Sequence, residues 1–265
     1  MPVSDRSSNE KTAFRADFVQ TLSEGAKPLG LAFSPDEAER LFAHAWAVRE
    51  ANREVNLTAI TDPVDMAIRH VLDSLAPLAI WPEAVGNGGR AVDLGSGAGY
   101  PGIPIAVMRS GFQVTLLDAT RKKVRRLTEF AADLPQVIAV WGRAEEVSRH
   151  RKNTAGSLPD NSLMGSGRVW ARAVGPLPVL VELGFGLLRP GGVLLAWKGP
   201  EAVGEEWDAA QSAAQALGGR ALGTRRYELP MGAGERLLIA FARGEKELPS
   251  GFPRAPAVIR RRPLS

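Results

Sequence analysis

The sequence predicts an α/β protein with a mostly parallel central sheet and an N-terminal helical cap. Two observations carry this prediction. Apolar residues in the first 85 positions recur at helical spacing, whereas from position 90 onward short apolar runs alternate with helical segments. Because runs that are apolar on both faces are typical of parallel strands covered by helices, the alternation indicates a βαβ arrangement. We therefore divide the chain into a helical cap, 1–85, and a sheet-containing domain, 86–265.

The cap is predicted to contain three helices. An apolar stripe marks the first helix. The second begins at Ser34, which is followed by Pro35 and Glu37, a pattern of capping residue, proline and acid that is typical of helix starts. The third begins after Asp62 and runs to Pro77.

Seven strands are predicted in the domain that follows. Five are buried runs that alternate with helices, and two later runs form a closing pair, interrupted in its first member by Gly223. The segment between His150 and Arg168 is polar and contains Gly and Ser, so we expect a surface insertion there. The strand-forming runs are AVDLG, VTLLD, VIAVW, VWARA, GVLLAWKG, RRYELP and RLLIAFAR.

Composition restricts the class of protein. The 265 residues include no cysteine, which excludes disulfides, thiolate-bound metals and cysteine nucleophiles, and no metal site is predicted. No apolar run reaches the length of about 18 residues that a membrane span needs, and MPVSDRSSNEKTAF lacks the apolar core of a signal peptide. We expect a cytoplasmic protein without a membrane partner, and no oligomeric state is predicted.

Basic residues cluster although the net charge is only +4. The sequence pI is about 9.7. Clustered cations gain affinity for a polyanion by releasing its condensed counterions, whereas solvated helix faces and a basic tail are the alternative explanation. Five cations within six positions cannot share one helical face. The clusters are Arg121, Lys122, Lys123, Arg125 and Arg126, and Arg254, Arg260, Arg261 and Arg262.

A glycine-rich turn follows the first strand in the stretch AVDLGSGAGYPGIPI. Such a turn allows positive φ and directs backbone N–H groups toward a ligand. Gly97, Gly99 and Gly102 satisfy G-x-G-x-x-G, a weak motif when taken alone. Asp93, two residues before Gly95, suits the ammonium group of S-adenosyl-L-methionine and would repel the pyrophosphate of NAD. The prolines that follow make the turn stiff, which favours the same ligand.

Asp118 ends the second strand about 20 residues beyond the glycines, where a carboxylate takes both hydroxyls of an adenosine ribose. NAD uses the same position, so Asp118 indicates adenosine without choosing between the ligands. Capping of the next helix is an alternative role. After the third strand, Ala144 and Glu145 occupy the place where adenine is contacted, or they simply begin a helix.

Several motifs occur in an order that matches one known family: REVNLTAITDPVDMAIRHVLDSL, DLGSGAGYPGIPIA, LLDATRKKVRRL, GRAEE, ARAVGPL and LRPGGVLLAWKG. From about Glu50 to its end the chain resembles the ribosomal RNA small subunit methyltransferase G family, also called glucose-inhibited division protein B. The resemblance implies a Rossmann-like class I methyltransferase that transfers a methyl group from S-adenosyl-L-methionine to N7 of one guanine in 16S rRNA, in a 30S subunit or its precursor. It implies cofactor contacts by Gly95, Tyr100, Ala144, Glu145 and Arg172.

Guanine N7 carries no proton, so its methylation needs no general base and depends on positioning. The positioning candidates are Asn56, His70 and Arg172. Their alternative roles are loop capping, core packing and a strand-end salt bridge, respectively. The RNA-binding candidates are Arg69, Arg121, Lys122, Lys123, Arg125, Arg260, Arg261 and Arg262.

Two other functions stay open on the sequence. One is an NAD-dependent oxidoreductase that uses the same glycine turn, and the other is a noncatalytic RNA-binding module with a methyltransferase-like fold. The intact glycine turn and Asp118 argue against the second. Four tryptophans next to strands or turns are predicted to pack in the core, with stacking on RNA bases as the alternative: Trp81, Trp141, Trp170 and Trp197.

Overall fold

A computed structural model of the chain describes residues 3–149 and 165–264, and its central feature is one sheet of seven strands. All seven predicted strands are present. Their spatial order is 3-2-1-4-5-7-6 when they are numbered along the chain. They are β1 (Gly89–Leu94), β2 (Phe112–Asp118), β3 (Val137–Trp141), β4 (Ser166–Arg172), β5 (Leu188–Lys198), β6 (Arg220–Glu228) and β7 (Glu235–Ala242).

The first five strands are parallel, and the predicted closing pair is antiparallel. β1 pairs in parallel with β2 and β4, whereas β7 pairs antiparallel with β5 and β6. The register of β6 shifts between Ala221 and Gly223, which confirms the predicted interruption. The strand order reverses between β1 and β4. In open parallel sheets, ligands bind in the crevice outside the carboxyl ends of the strands at such a reversal.

Helices cover both faces of the sheet and fill the first 85 residues, as predicted. A π-helical segment, Met66–Leu72, joins two short helices into one continuous helix over 63–75. The helices are α1 (Val3–Ala26), α2 (Pro35–Ala51), α3 (Pro63–Asp65), α4 (Asp73–Leu75), α5 (Pro77–Ile80), α6 (Pro82–Val85), α7 (Gly102–Met108), α8 (Arg121–Phe130), α9 (Ala144–Arg149), α10 (Leu177–Leu187), α11 (Glu205–Ala216) and α12 (Pro256–Arg261).

The predicted starts of the second and third helices are confirmed by their capping hydrogen bonds. Ser34 Oγ accepts from Glu37 N at 3.2 Å, and Ser34 N donates to Glu37 Oε2 at 2.8 Å. Asp62 Oδ1 accepts from Val64 N at 3.0 Å and from Asp65 N at 3.2 Å. Each cap provides acceptors for backbone N–H groups that the first helical turn leaves without a partner.

The hydrophobic core has two parts, one on each face of the sheet. On one face, Phe18 and Phe42 from the N-terminal helices are buried in the same cluster as Leu116 and Trp170 from the strands. The cluster on the other face lies mainly between the sheet and helices α10 and α11. The N-terminal helices therefore share a core with the sheet. The division into 1–85 and 86–265 stays a prediction.

Two further expectations concern the surface of the chain. The predicted insertion between His150 and Arg168 falls mostly on 150–164, outside the described residues. Among the described helices, none combines the length and the apolar character that crossing a bilayer requires.

We predict that Phe18→Ala lowers the free energy of unfolding by about 3–5 kcal/mol, because it removes a fully buried ring from the core that joins α1 to the sheet. Urea unfolding followed by circular dichroism measures the loss. The neighbouring exposed residue provides the control, since Asp17→Ala should change stability by less than about 0.5 kcal/mol. Equal stabilities of the two variants would contradict a shared core.

Candidate active site

The glycine turn leaves β1 at the point where the strand order reverses. Gly95, Gly97 and Gly99 all have positive φ, at 71°, 57° and 93°. The turn is held to the neighbouring strand because Gly95 N and Ser96 N both donate to Leu117 O, at 2.8 and 3.1 Å. A Cβ atom added at Gly97 would meet only its own turn, at 3.8 Å, so the space above this residue is open to a ligand.

Asp93 lies beneath the turn and is completely buried. Its Oδ2 accepts a hydrogen bond from Gly102 N at 2.9 Å, which ties the end of β1 to the start of α7. Its Oδ1 has no hydrogen-bond partner among the described residues. Burial raises the pKa of Asp93 to about 6. The site therefore contains a fully buried carboxyl group, one oxygen of which makes no hydrogen bond to the described residues. Burial of such an oxygen lowers the stability of the folded protein.

Asp118 lies beside the turn at the end of β2. Its Oδ2 accepts from Gly97 N at 3.0 Å and its Oδ1 accepts from Thr120 N at 2.8 Å. The carboxylate thus orients the glycine turn and the β2–α8 connection. The N-cap residue of α8 is Thr120, and Asp118 accepts from no N–H group of the helix itself, so the capping role considered as the alternative is wrong. Gly142 N donates to Asp118 O at 3.1 Å, which brings the β3–α9 turn to the same edge.

The predicted adenine contacts lie just beyond that turn. Ala144 and Glu145 begin α9, and both are buried. The carboxylate of Glu145 lies 3.9 Å from the guanidinium of Arg143. The structure therefore brings Ala144, Glu145, Asp118 and the glycine turn together at the carboxyl ends of neighbouring strands, which is the arrangement that an adenosine site in this fold needs.

Tyr100 is the centre of an aromatic stack at the end of the glycine turn. Its ring is stacked on His70, with centroids 4.6 Å apart and planes at 18°, and it contacts His44 at 4.7 Å. Only 4% of Tyr100 is exposed, and its hydroxyl is buried without a hydrogen-bond partner in the described part of the chain. The side chain thus acts as packing between the turn and the helical cap, so any cofactor contact by this residue uses its backbone or the edge of its ring.

Both histidines in the stack are neutral. Burial lowers the pKa of His44 to about 4, and burial together with the nearby charge of Arg172 lowers the pKa of His70 to about 3. His70 Nδ1 lies 3.5 Å from the Arg172 guanidinium, so Nδ1 is the acceptor and Nε2 carries the proton. Nε2 then donates to Thr58 Oγ1 at 2.8 Å.

Arg172, at the end of β4, joins this stack to the helical cap. One guanidinium nitrogen donates to the carbonyls of Arg69 and His70, at 3.1 and 3.3 Å, and to Asp73 Oδ2 at 2.9 Å. The guanidinium carbon lies 5.4 Å from the centre of the Tyr100 ring. The strand-end salt bridge weighed as the alternative role is therefore present, with Asp73 as the partner.

Asp73 is the main residue of this site that the sequence analysis missed. Its side chain is 6% exposed, and its Oδ1 accepts from the Tyr227 hydroxyl at 2.6 Å. Its backbone carbonyl accepts from Trp197 Nε1 at 2.8 Å. Asp73 follows His70 by one helical turn, but its partners come from β4, β5, β6 and, through Arg236 at 4.0 Å, β7, and nothing local in the sequence points to them. One acid thus connects four strands to the cap.

The loop before α3 carries the other positioning candidate. Asn56 is exposed and has no side-chain hydrogen bond within the described residues. It is Asn52 that shapes this loop, since its Oδ1 accepts from Leu57 N and Thr58 N at 2.8 and 3.0 Å. Of the capping role considered for Asn56 or Thr58, only Thr58 shows it, since its Oγ1 accepts from Ile60 N at 3.0 Å, and Asn56 remains available to a substrate.

Two basic candidates are engaged within the chain. Arg69 donates to Asp65 at 2.8 Å and to Ala233 O at 3.1 Å, although 37% of its side chain is exposed. In the basic tail, Arg254 is tied to the buried carboxylate of Glu182 at 2.6 Å. Arg261 and Arg262 are exposed, whereas the side chain of Arg260 lies outside the described part of the chain.

The five cations of α8 fall into two groups. Arg125 and Arg126 form ion pairs with Glu129, and Arg126 also pairs with Glu54. Within 3–149 and 165–264, no acid pairs with Arg121, Lys122 or Lys123, and the first two are exposed.

Across the same residues, no three His, Cys, Asp or Glu side chains are grouped in a way that could hold a metal ion.

The tryptophan prediction is right for three positions and wrong for one. Trp81, Trp170 and Trp197 are buried, at 4%, 0% and 3% exposed. Trp141 is 50% exposed, because β3 is the edge strand of the sheet and this residue lies at its carboxyl end. Its proximity to a strand does not imply burial, since an edge strand has a neighbour on one side only.

We predict a pH-dependent effect of Asp93→Asn on stability. Between the unfolded pKa of 3.8 and the folded value of about 6, the folded protein retains a proton that the unfolded chain releases, so wild-type stability falls as pH rises through this window. The asparagine of the variant still accepts from Gly102 N, and it does not ionise, so the cost of burying a charged carboxylate is absent. The free energy of unfolding of Asp93→Asn relative to wild type should therefore rise by about 1–1.5 kcal/mol between pH 5 and pH 8.

Urea unfolding of the ligand-free proteins at the two pH values measures this difference, in which the contributions of His44 and His70 cancel because both proteins contain them. A stability difference that is independent of pH would show that Asp93 is charged throughout the range.

We also predict unequal costs for the two sides of the Asp73 cluster. Asp73→Asn should lower the free energy of unfolding by about 3–5 kcal/mol, because it leaves the largely buried Arg172 without its counter-ion. Tyr227→Phe removes one hydrogen bond to a charged group and should cost about 1.5–3 kcal/mol. Urea unfolding measures the loss of unfolding free energy in both variants. A larger loss in Tyr227→Phe than in Asp73→Asn would show that the tyrosine, rather than the ion pair, holds the cluster together.

Comparison with known proteins identifies the family. A family model described as rRNA small subunit methyltransferase G (GidB) matches residues 37–229. The chain is 40% identical over 265 residues to Ribosomal RNA small subunit methyltransferase G of Symbiobacterium thermophilum, covering 96% of this chain and 100% of that protein. It is 37% identical over 258 residues to the protein of the same name from Deinococcus radiodurans, covering 92% of each.

Among solved structures, it is similar to a fibrillarin pre-rRNA processing protein of Methanococcus jannaschii. The identity is 13%, the match covers 62% of this chain and 70% of that chain, and the TM-score is 0.48. The chain belongs to the rRNA small subunit methyltransferase G family.

Proposed function

We propose that this protein transfers a methyl group from S-adenosyl-L-methionine to N7 of one guanine in 16S rRNA. The observation that carries the proposal is the meeting of the glycine turn after β1 with Arg172 at the end of β4, on either side of the reversal in strand order. A cofactor held on the first and a base held against the second would lie side by side in the same crevice.

The residues present fit the cofactor. The open space above Gly97 leaves room for it, and Asp93 Oδ1 is a buried acceptor without a partner among the described residues. Asp93 would accept from the ammonium group, Asp118 from the ribose hydroxyls, and the backbone at Ala144 and Glu145 would contact adenine. When bound, S-adenosyl-L-methionine supplies a methyl group on a positively charged sulfur.

The protein residues around the crevice suit a reaction that needs no proton transfer. Guanine N7 attacks with a lone pair, so alignment of the nucleophile is the main requirement. The purine gains positive charge as the methyl group arrives, and extra cations nearby would oppose this. His70 is kept neutral, and the charge of Arg172 is balanced by Asp73. The groups packed around Tyr100 therefore include a neutral imidazole and an ion-paired guanidinium rather than a free cation.

Thr58 and Asn56 are suited to hold the base. Thr58 Oγ1 accepts from His70 Nε2 and from Ile60 N, at 2.8 and 3.0 Å, so its own proton is available to an acceptor such as guanine O6. Asn56 is exposed on the same loop. His70 and Arg172 then act as positioning residues, since they hold Thr58 and the cap against the end of β4.

The family makes ribosomal RNA the substrate class. We place the reaction in the cytoplasm, on 16S rRNA within a 30S subunit or its precursor. Neither an NAD-dependent oxidoreductase nor a noncatalytic RNA-binding module is favoured by any feature of the site.

Mapping of N7-methylguanine tests the proposal directly. Unmodified 30S subunits are incubated with the protein and S-adenosyl-L-methionine, and the 16S rRNA is cleaved chemically at N7-methylguanine and sequenced by primer extension. One new cleavage site that depends on both components is expected. Methylation of another base, or the absence of any new cleavage site, would reject the proposed function.

We predict that Gly97→Ala lowers affinity for S-adenosyl-L-methionine by roughly tenfold or more, because its methyl group enters the open space above the turn. Isothermal titration calorimetry measures the loss. Gly218→Ala is the matched control, since Gly218 also has positive φ and an open surrounding but lies after α11, so it should bear a similar backbone strain and keep full affinity. Equal affinities of the two variants would place the cofactor elsewhere.

A further inference from the structure

Trp141 is the exposed member of the six tryptophans, and it lies at the carboxyl end of the edge strand β3. The guanidinium carbon of Arg121 lies 4.1 Å from the centre of the indole ring. Even with this partner, half of Trp141 is exposed. Trp141 Nε1 donates to Ala119 O at 3.0 Å, which fixes the ring beside the β2–α8 connection. An exposed indole with a fixed orientation is a surface on which another flat group can stack.

The charges at the start of α8 lack an acidic partner among the described residues. Arg121, Lys122 and Lys123 form the first turn of this helix, whereas Arg125 and Arg126 are both paired with acids. The α8 cations without an acidic partner are therefore the three at the helix start, of which Arg121 contacts the Trp141 ring.

The position of these cations is unfavourable for the helix itself. The first turn of α8 contains no acid, and its N-cap residue Thr120 makes no capping hydrogen bond through its side chain. Cations at a helix N-terminus are repelled by the positive end of the helix dipole. A sequence selected for stability alone would have acids here, so three cations indicate that this end of the helix meets an anion.

The cluster adjoins the proposed cofactor site. Trp141 pairs in the sheet with Asp118, the residue proposed to hold the ribose, and its indole contacts the next residue, Ala119. An RNA strand on Trp141 would thus pass directly beside the crevice that receives the target guanine.

We propose that Trp141, Arg121, Lys122 and Lys123 form a binding surface for a single-stranded segment of the substrate RNA. One unpaired base stacks on Trp141, while Arg121, Lys122 and Lys123 contact the flanking phosphates. This inference rests on the proposed function for the identity of the RNA. The combination of an exposed aromatic face with unpaired cations matches the two recurring components of single-stranded RNA, the base and the phosphate.

Fluorescence anisotropy with a labelled single-stranded fragment of 16S rRNA tests the base contact. Trp141→Ala should raise Kd by about five- to a hundredfold, in line with the loss of one stacked base. Trp141→Phe keeps a ring but not the indole N–H, and should restore most of the affinity. The matched control is Ile138→Ala, which removes an exposed apolar side chain from the opposite face of the same strand and should leave Kd unchanged.

Two further measurements separate stacking from charge. An RNA of the same length that contains abasic residues should bind Trp141→Ala and wild type equally. Lys122→Ala should lower the slope of log Kd against log salt concentration by about 0.7, whereas Trp141→Ala should leave the slope unchanged. The melting temperature of Lys122→Ala should equal or exceed that of wild type, because a cation is removed from the helix N-terminus.

The inference would be overturned by either of two results. Loss of affinity for S-adenosyl-L-methionine in Trp141→Ala, without loss of affinity for RNA, would assign the indole to the adenine of the cofactor. Behaviour of Trp141→Phe like that of Trp141→Ala would assign it to the hydrogen bond with Ala119. Neither result depends on methyl transfer, which is assessed separately on wild-type protein, so failure of the proposed function is distinguishable from failure of this inference.

Discussion

The ion pair between Arg172 and Asp73 is the interaction on which the arrangement of the site depends. It connects the end of β4 to the helical cap, and through Tyr100 it reaches the glycine turn of β1. Burial of two charges is costly unless their hydrogen-bonding capacity is used. Here the Tyr227 hydroxyl and two backbone carbonyls of the π-helical segment complete the network.

The electrostatics of the crevice follow from this packing. Neutral His44 and His70 both contact the Tyr100 ring, and the guanidinium of Arg172 is paired with Asp73. Beneath the turn, Asp93 carries an elevated pKa because it is completely buried. A cationic ligand in the crevice would therefore relieve an existing cost. Binding of such a ligand would be linked to local stability through this buried carboxyl group.

Local patterns in the sequence predicted most of the fold. The seven strands, the helix starts at Ser34 and Asp62, and the glycine turn all follow from periodicity and turn chemistry over a few residues. The cluster around Asp73 could not be found in this way, because Arg172 and Tyr227 are 99 and 154 residues away along the chain. The exposure of Trp141 depends on strand order, which an apolar run does not reveal.

The position of Tyr227 has a consequence for synthesis of the protein. This residue belongs to β6, which is added to the sheet only through β7, the last strand in the chain. A nascent polypeptide that has emerged through β5 already contains both charged members of the Asp73 cluster, yet the hydroxyl that completes their hydrogen bonding is still to be translated. Until β6 and β7 have joined the sheet, Asp73 lacks the hydrogen bond that the Tyr227 hydroxyl donates, so the network around the ion pair is completed only after the parallel strands are in place.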